Sequence, residues 1–102
     1  MTVTPRNIYF VGLMGAGKTT VARQLAKRLK RSFLDTDHEV EKRTGGRVPV
    51  IFEIGGEEGF RDRETRLLRE LAAQRELLVA TGGGIVMREE NRNLLANSGT
   101  VI

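Results

Sequence analysis

The sequence predicts a three-layer α/β/α domain with a parallel β-sheet at its centre. Three observations predict this class. Short apolar runs rich in strand formers alternate with amphipathic segments, glycines follow several of these runs, and no internal repeat or low-complexity linker interrupts the alternation. Strands that alternate with helices are joined by crossovers, which makes them parallel. A chain of 102 residues can bury one modest core, so residues 1–102 are interpreted as a single domain.

The first strand is predicted over Asn7 to Leu13, an apolar run bounded by glycine. An amphipathic helix is predicted next, from Lys18 to Lys30. Its apolar positions recur every three to four residues and are expected to face the sheet: Val21, Ala22, Leu25, Ala26 and Leu29.

A second strand is predicted over Ser32 to Asp35. Asp37 is the predicted N-cap of a helix that continues through Arg43. Gly45 and Gly46 are expected to end that helix, because glycine readily adopts the left-handed conformation of a C-cap.

Two further helices are predicted before the next strand. Pro49 is suited to the first turn of a short helix through Ile54, since a first turn does not need the missing amide hydrogen. A longer helix is predicted from about Glu57 to Gln74. Its apolar face is expected to contain Phe60, Leu67, Leu68 and Leu71.

The last third of the sequence predicts a strand, a helix and the opening of one more strand. Leu77 to Thr81 is the strand, closed by the glycine run 82–84. The helix is predicted from Glu89 to Asn97, with Asn97-Ser98-Gly99 as a stop signal. Thr100 to Ile102 then opens the further strand.

The charge distribution argues against a nucleic-acid partner. The formal net charge is +4, from 17 Lys and Arg against 13 Asp and Glu. Many of the basic residues have helical spacing within 23–31 and 61–75, which favours solvated helix faces and a few anion ligands. Aromatic side chains for stacking on bases are scarce, so no nucleic-acid partner is expected.

Other composition features predict a cytoplasmic enzyme. The sequence has no cysteine, which excludes disulfides and cysteine-ligated metals. The first residues lack the long apolar stretch of a secretory signal, and no run approaches the roughly 18 apolar residues of a membrane span. No membrane association is therefore expected.

A phosphate-binding P-loop lies between the first strand and the first helix. Gly12-Leu13-Met14-Gly15-Ala16-Gly17-Lys18-Thr19 has the glycine, lysine and hydroxyl spacing of this motif. Its backbone amides and the following helix N-terminus suit the phosphates of ATP. Lys18 is expected to reach the β- and γ-phosphates, and Thr19 to bind Mg²⁺.

Two carboxylates, Asp35 and Asp37, stand at the carboxyl end of the second strand, where open α/β sheets bind ligands. Asp35 is predicted to hold Mg²⁺ through water, partly because Thr81 stands where many P-loop enzymes place a metal-binding aspartate. Asp37 is predicted to accept the proton of an acceptor hydroxyl. His38, the only histidine, is interpreted as a helix-face residue.

Arg61 and Glu64 lie one helical turn apart, so Glu64 can fix the guanidinium for a carboxylate-bearing substrate. A plain surface ion pair is the alternative for these two residues, and Arg63 is an alternative arginine. The glycines at 82–84 either form a flexible turn or let backbone amides approach a small ligand closely.

Taken in order, four segments resemble the motifs of the shikimate kinase family, over essentially the whole chain. These are Val11 to Thr20, Phe33 to Asp37, Ile51-Phe52 leading to Gly59-Phe60-Arg61 and Glu64, and Ala80 to Gly84. The resemblance implies the P-loop NTPase fold of the nucleoside monophosphate kinases. It also implies a monomer that phosphorylates the 3-hydroxyl of shikimate with ATP and Mg²⁺ in chorismate and aromatic amino-acid biosynthesis.

The resemblance also implies a role for each matching residue. ATP would be bound by Gly15, Ala16, Gly17, Lys18, Thr19 and Thr20. Lys18 and Asp37 would be catalytic, and Thr19 and Asp35 would serve the metal. Asp37, Arg61 and Gly83 would bind shikimate. The lid and the adenine-binding loop of the family would follow Ile102, so the chain is interpreted as truncated before them.

Two other functions stay open at this stage. The first is a kinase for another small hydroxylated acceptor such as gluconate, which the Phe60-Arg61 and triple-glycine motifs disfavour. The second is a fragment that holds nucleotide without transferring phosphate.

Overall fold

The computed structural model describes residues 6–12 and 16–102, and the side chains of residues 16–19 lie outside the description. These residues form four strands and four α-helices, and two of the helices follow one another between the second and third strands. The strands are β1 (Asn7–Val11), β2 (Ser32–Asp35), β3 (Leu77–Thr81) and β4 (Gly99–Val101). The helices are α1 (Ala16–Arg28), α2 (Thr36–Thr44), α3 (Val48–Ala72) and α4 (Glu89–Ser98), with a 3₁₀ helix at Gly83–Met87 before α4.

The strands form one parallel sheet in the order β2-β3-β1-β4. β1 lies between β3 and β4, with Ile8 opposite Leu78 and Thr100. β3 is buried along its whole length, as expected for an apolar strand inside a covered parallel sheet. The carboxyl ends of β1, β2 and β3 lie side by side, because all three strands run in the same direction.

The sheet has an apolar core on each face. On one face Tyr9 and Val79 pack with residues of α2, α3 and α4, including Val40, Phe60 and Leu68. On the other face Leu78 packs with Ala22 and Ala26 of α1, and the partly buried Ile8, Phe10, Leu25 and Phe33 lie against them. Neighbouring strand residues alternate between the two cores, which is the two-residue period of a strand. The predicted three-layer α/β/α architecture is therefore confirmed.

The inward face of α1 differs from the prediction. Ala22 and Ala26 are buried, but Val21 is 61% exposed and Leu29 is 47% exposed. The small alanines let the helix backbone approach the sheet closely, so the buried stripe centres on them and not on the larger residues. α1 also ends at Arg28, two residues early, and Lys30 adopts a left-handed φ of 57° that cannot continue a helix.

The N-cap of α2 is Asp35, so the prediction of Asp37 as the cap was wrong. Asp35 leaves β2 in extended geometry, and its Oδ1 accepts a hydrogen bond from the His38 amide at 3.1 Å. Asp37 already lies in the first helical turn, which leaves its carboxylate available for other contacts. Gly45 ends the helix in the left-handed conformation, as predicted.

The two predicted helices after Pro49 are present as one kinked element. Within α3, Gly56 has φ 71° and ψ −179°, which no helix contains, so the chain turns sharply between the segment that begins at Val48 and the segment that ends at Ala72. The face predicted for the longer segment is confirmed, because Phe60, Leu67, Leu68 and Leu71 are all buried.

β4 begins at Gly99, one residue before the predicted start. Gly99 pairs with Asn7, and a Cβ at this position would lie 2.3 Å from the Asn7 carbonyl oxygen and 2.6 Å from Cε2 of Tyr9. Asn7 and Tyr9 are fixed by a buried network in which Asn7 Nδ2 donates to Tyr9 Oη and the Tyr9 and Ser98 hydroxyls share a hydrogen bond of 2.7 Å. Only glycine fits between α4 and β4.

We therefore expect Gly99→Ala to destabilise the fold by about 1–3 kcal/mol, because a backbone carbonyl and a buried ring must move to admit one methyl group. Gly55→Ala is the control, since a Cβ there meets nothing within 4 Å. Urea unfolding of both variants tests this expectation. Equal unfolding midpoints for the two variants would show that β4 admits the methyl group without a loss of stability.

Among the described residues, no helix has the length and apolar character needed to span a bilayer.

Candidate functional site

The predicted phosphate loop begins where β1 ends. Gly12 has φ +75°, a conformation that favours glycine, and α1 starts shortly after it at Ala16. The first turn of α1 contains no acidic residue, so nothing there opposes an anion at the helix N-terminus. Gly15 lies outside the described residues, as do the side chains of Ala16, Gly17, Lys18 and Thr19. The ATP-binding roles of residues 15–20 stay predictions.

Asp37 faces the glycine run that follows β3. A Cβ on Gly82 would lie 3.6 Å from Oδ2 of Asp37, which is ordinary van der Waals contact. Position 37 follows β2, and the glycines follow β3, its neighbour in the sheet. The carboxylate that the sequence assigned to the acceptor hydroxyl therefore lies at the predicted edge of the sheet.

Asp35 has a structural role that was not predicted from the sequence. One of its carboxylate oxygens caps α2 through the His38 amide. The described residues contain no cluster of three or more His, Asp or Glu that could enclose a metal. Mg²⁺ is commonly held by one or two carboxylates together with substrate phosphates, and a carboxylate at this strand end fits that pattern. The metal role of Asp35 stays a prediction.

Arg61 is held firmly from several sides. Its Nη1 lies 3.1 Å from Oε1 of Glu64, and its Nε lies 3.8 Å from Oε1 of Glu57. The guanidinium carbon lies 5.3 Å from the ring centre of Phe60 and 5.9 Å from that of Phe52. Glu64 is 1% exposed, so this pair is not the surface ion pair of the alternative interpretation.

The Arg61 guanidinium packs directly on Gly84. A Cβ there would lie 2.3 Å from Nη2 and 2.5 Å from Cζ, so any larger residue would displace the arginine. The same glycine segment approaches the phosphate loop, because a Cβ on Gly83 would lie 3.6 Å from Cα of Gly12. The structure thus brings Gly12, Asp37, Arg61 and the glycines at 82–84 to one end of the sheet.

Two carboxyl groups of this site, those of Asp37 and Glu64, have raised pKa values. Burial is the main cause of the raised pKa of Asp37, and the neighbouring carboxylates of Asp35 and Glu41 add to it, while Arg61 opposes it. Burial also raises the pKa of Glu64, against the opposing hydrogen bond from Arg61. A carboxylate with a raised pKa is a stronger base, which suits a group that removes a proton from a hydroxyl.

The raised pKa of Asp37 has a predictable effect on stability. Protonated Asp37 favours the folded state, and this contribution is complete below its ordinary pKa of 3.8 and is lost as pH rises through the higher folded-state value. Asp37→Asn cannot ionise, so we expect it to be more stable than the wild type near pH 7, with the difference shrinking toward about pH 3.5. Chemical unfolding across this pH range is the measurement.

Glu53→Gln is the matched control, because Glu53 is an exposed carboxylate on α3. That variant should follow the wild-type profile. A loss of stability in Asp37→Asn that is equal at all pH values would contradict the desolvation argument.

Three further residues discussed from the sequence are His38, Arg63 and Thr81. His38 is exposed on α2, as interpreted, and Arg63 is exposed on α3, away from the contacts of Arg61. Thr81 is buried at the end of β3 and its hydroxyl donates to the Gly82 carbonyl at 3.2 Å.

Sequence reasoning missed the supports of Arg61. The contacts of Phe52 and Glu57 with Arg61 and the packing of Gly84 under the guanidinium were not predicted. A partial signal existed in the sequence, since Glu57 lies four residues before Arg61 and glycine recurs three times at 82–84.

Comparison with known proteins agrees with this arrangement. The family model described as shikimate kinase matches residues 14–102. A shikimate kinase from Burkholderia lata is 59% identical over 96 residues, which cover 94% of this chain and 52% of that protein. One from Ralstonia nicotianae is 62% identical, over 94% of this chain and 50% of that protein.

A solved structure shows the same fold. The shikimate kinase from Acinetobacter baumannii in complex with shikimate matches with a TM-score of 0.90 and 55% identity, over 96% of this chain and 55% of that one. The predicted P-loop NTPase fold is thereby confirmed. The chain spans about half the length of the relatives that it matches. With the family model matched over most of its residues, this chain belongs to the shikimate kinase family.

Proposed function

We propose that this chain supplies the phosphate-binding loop and part of the acceptor site of a shikimate kinase. The reaction would transfer the γ-phosphoryl group of ATP to the 3-hydroxyl of shikimate, in chorismate and aromatic amino-acid biosynthesis. The observation that carries the proposal is the fixed guanidinium of Arg61, which lies on Gly84 at the same end of the sheet as Asp37. The Acinetobacter baumannii relative binds shikimate, which supports the choice of acceptor.

Arg61 would bind the shikimate carboxylate. Glu64 engages Nη1 and the Phe52 and Phe60 rings lie near the guanidinium, so the side chain loses little rotamer freedom when the substrate binds. The guanidinium side chain is still 18% exposed, which leaves donors for a carboxylate. The Gly83 amide would add a backbone contact, since no side chain there blocks a close approach.

Asp37 would orient the acceptor hydroxyl and take its proton. The hydroxyl oxygen forms the new bond to the γ-phosphorus, the bond from that phosphorus to the β-phosphate oxygen breaks, and ADP leaves. The hydroxyl proton passes to an Asp37 oxygen. Partial burial of Asp37 raises its pKa and so prepares it for this transfer.

The P-loop residues would bind the phosphates of ATP. Lys18 would bind the β- and γ-phosphates, and the amides of residues 15–20 would hold the phosphate oxygens. Thr19 and Asp35 would hold Mg²⁺, which when bound neutralises charge on the phosphates. The monomeric state, the cytoplasmic location and the single-domain organisation of residues 1–102 remain predictions.

The test is to incubate the chain with ATP and Mg²⁺, with and without shikimate, and to measure shikimate 3-phosphate by mass spectrometry. We expect product that depends on shikimate, is lost in Arg61→Ala, and is retained in Arg63→Ala, which removes an exposed arginine two residues away. Gluconate as the acceptor should give no product. Phosphorylated gluconate would favour the other small-molecule kinase, and bound ATP without any product would favour a non-catalytic nucleotide-binding fragment.

A further inference from the structure

A basic cleft lies between α2 and α3. It has a volume of about 230 Å³, and its charged lining consists of Arg43, Arg63, Arg66 and Glu70. Neither Asp37 nor Arg61 lines this cleft. It is therefore separate from the acceptor site.

Two of the three arginines have no acidic partner in the described part of the chain. Arg43 is neutralised by Glu39 and Glu70. Arg63 and Arg66, one turn apart on α3, form no ion pair or hydrogen bond with any described residue. Two neighbouring like charges on one helix face are unfavourable until an anion lies between them.

The acidic residues one helical turn from Arg66 form ion pairs with other arginines. Asp62 lies four residues before it on the helix, but its Oδ1 lies 2.9 Å from Nη1 of Arg88. Glu70 lies four residues after it and pairs with Arg43. Arg63 has Gly59, Phe60, Arg66 and Leu67 at the helical neighbour positions, and none of these is an acid.

A neighbouring cleft of about 210 Å³ has less unpaired positive charge. It also contains Arg66, but its other arginines are each matched by an acid of the same cleft. Arg69 pairs with Glu90, and Arg88 pairs with Asp62. Arg66 lines both clefts, but Arg63 lines only the α2–α3 one of the two, so the two unpaired arginines meet there.

The α2–α3 cleft also has apolar surface. Val40 and Leu67 contribute to its lining. An adjoining hollow of about 170 Å³ shares Thr44 and Arg63 with it and continues over Val50, Ile51 and Ile54. Val50 is 45% exposed and Ile54 is 84% exposed, so an apolar ledge lies beside the arginines.

We propose that the α2–α3 cleft binds a small organic acid, with its carboxylate between Arg63 and Arg66 and its apolar body on the ledge of Val50 and Ile54. The cleft of about 230 Å³ and the adjoining hollow of about 170 Å³ are each smaller than the roughly 300–1,000 Å³ of drug-sized sites, so we limit the ligand to a carboxylate with a single ring or a short branched chain. This binding does not depend on the proposed kinase reaction.

The experiment is a titration of the Arg61→Ala chain with benzoate, followed by amide NMR. Removing Arg61 prevents a carboxylate from reporting on the acceptor site. We expect saturable shifts at amides of residues 40–44, 50–54 and 63–70, with a Kd of about 1 mM or tighter. Benzamide has the same ring without the charge and acetate has the charge without the ring, so both should bind at least about 10-fold more weakly.

Two double variants in the same background separate site binding from general charge. Arg63→Ala with Arg66→Ala should weaken benzoate binding at least about 10-fold. Lys27→Ala with Arg28→Ala removes the same charge from exposed positions on α1 and should leave binding unchanged. Circular dichroism checks that both variants fold.

Several results would overturn the proposal: shifts confined to residues 82–84, equal losses in the two double variants, or no saturation below about 10 mM. Inorganic phosphate binding as tightly as benzoate would also overturn it, because the apolar ledge would then contribute nothing.

Discussion

Under the proposed function, Lys18→Ala is expected to lower phosphoryl transfer to shikimate by about 10³-fold or more, while acceptor binding stays intact. The lysine belongs to the first turn of α1, after the left-handed Gly12 that opens the loop. A cation at this position of a P-loop stabilises the charge that develops on the phosphates, and loss of one such preorganised contact costs about 10²–10³ in rate by itself. Shikimate 3-phosphate formation, measured at saturating ATP, gives the rate.

Equilibrium binding gives a second readout of the same change. Mg·ATP affinity should fall about 10-fold or more, because a charge-assisted contact to phosphate is lost. Lys27→Ala is the matched control, since Lys27 is an exposed lysine on the same helix. A Lys18→Ala chain that binds and transfers like the control would disprove the assignment of residues 12–19 as an ATP-phosphate loop.

The fold was predictable because both faces of its sheet are covered by apolar cores, which favours apolar strands such as β3. Such strands are continuous apolar runs, and β3 is visible in the sequence as Leu-Leu-Val-Ala-Thr before glycine. The inward face of α1 was not predictable in detail. Periodicity alone ranks Val21 and Leu29 with Ala22 and Ala26, and only the close approach of helix and sheet selects the alanines.

The candidate site was predictable in its residue types and less so in its contacts. Asp35 and Asp37 are both capable N-caps, and the choice depends on where β2 leaves extended geometry, which is a matter of one or two residues. Arg61 and Glu64 were paired correctly from their helical spacing. The packing of Arg61 on Gly84 joins α3 to the segment after β3, and such a tertiary contact has no local sequence signal.

The contact between Arg61 and Gly84 predicts a second large effect, on shikimate binding. Gly84→Ala would place a methyl carbon 2.3 Å from Nη2 of Arg61 and 2.5 Å from Nη1. The atoms in the way belong to the end of a side chain and not to the backbone, so the chain should still fold while the guanidinium moves, with some stability lost from its contacts with Glu64 and the aromatic rings. A paired carboxylate contact is worth about 1.5–3 kcal/mol, so we expect shikimate binding to weaken about 10- to 100-fold.

A double-variant cycle distinguishes displacement of Arg61 from general damage to the glycine segment. If Gly84→Ala acts only through Arg61, it should add almost nothing in the Arg61→Ala background, because the group it displaces is already gone. Gly59→Ala is the control for adding a methyl group near Arg61, since a Cβ there meets nothing within 4 Å. Fully additive losses of shikimate affinity would mean that Gly84 serves the acceptor directly, through its own backbone, and that the position of the guanidinium depends on Glu64 and the aromatic rings alone.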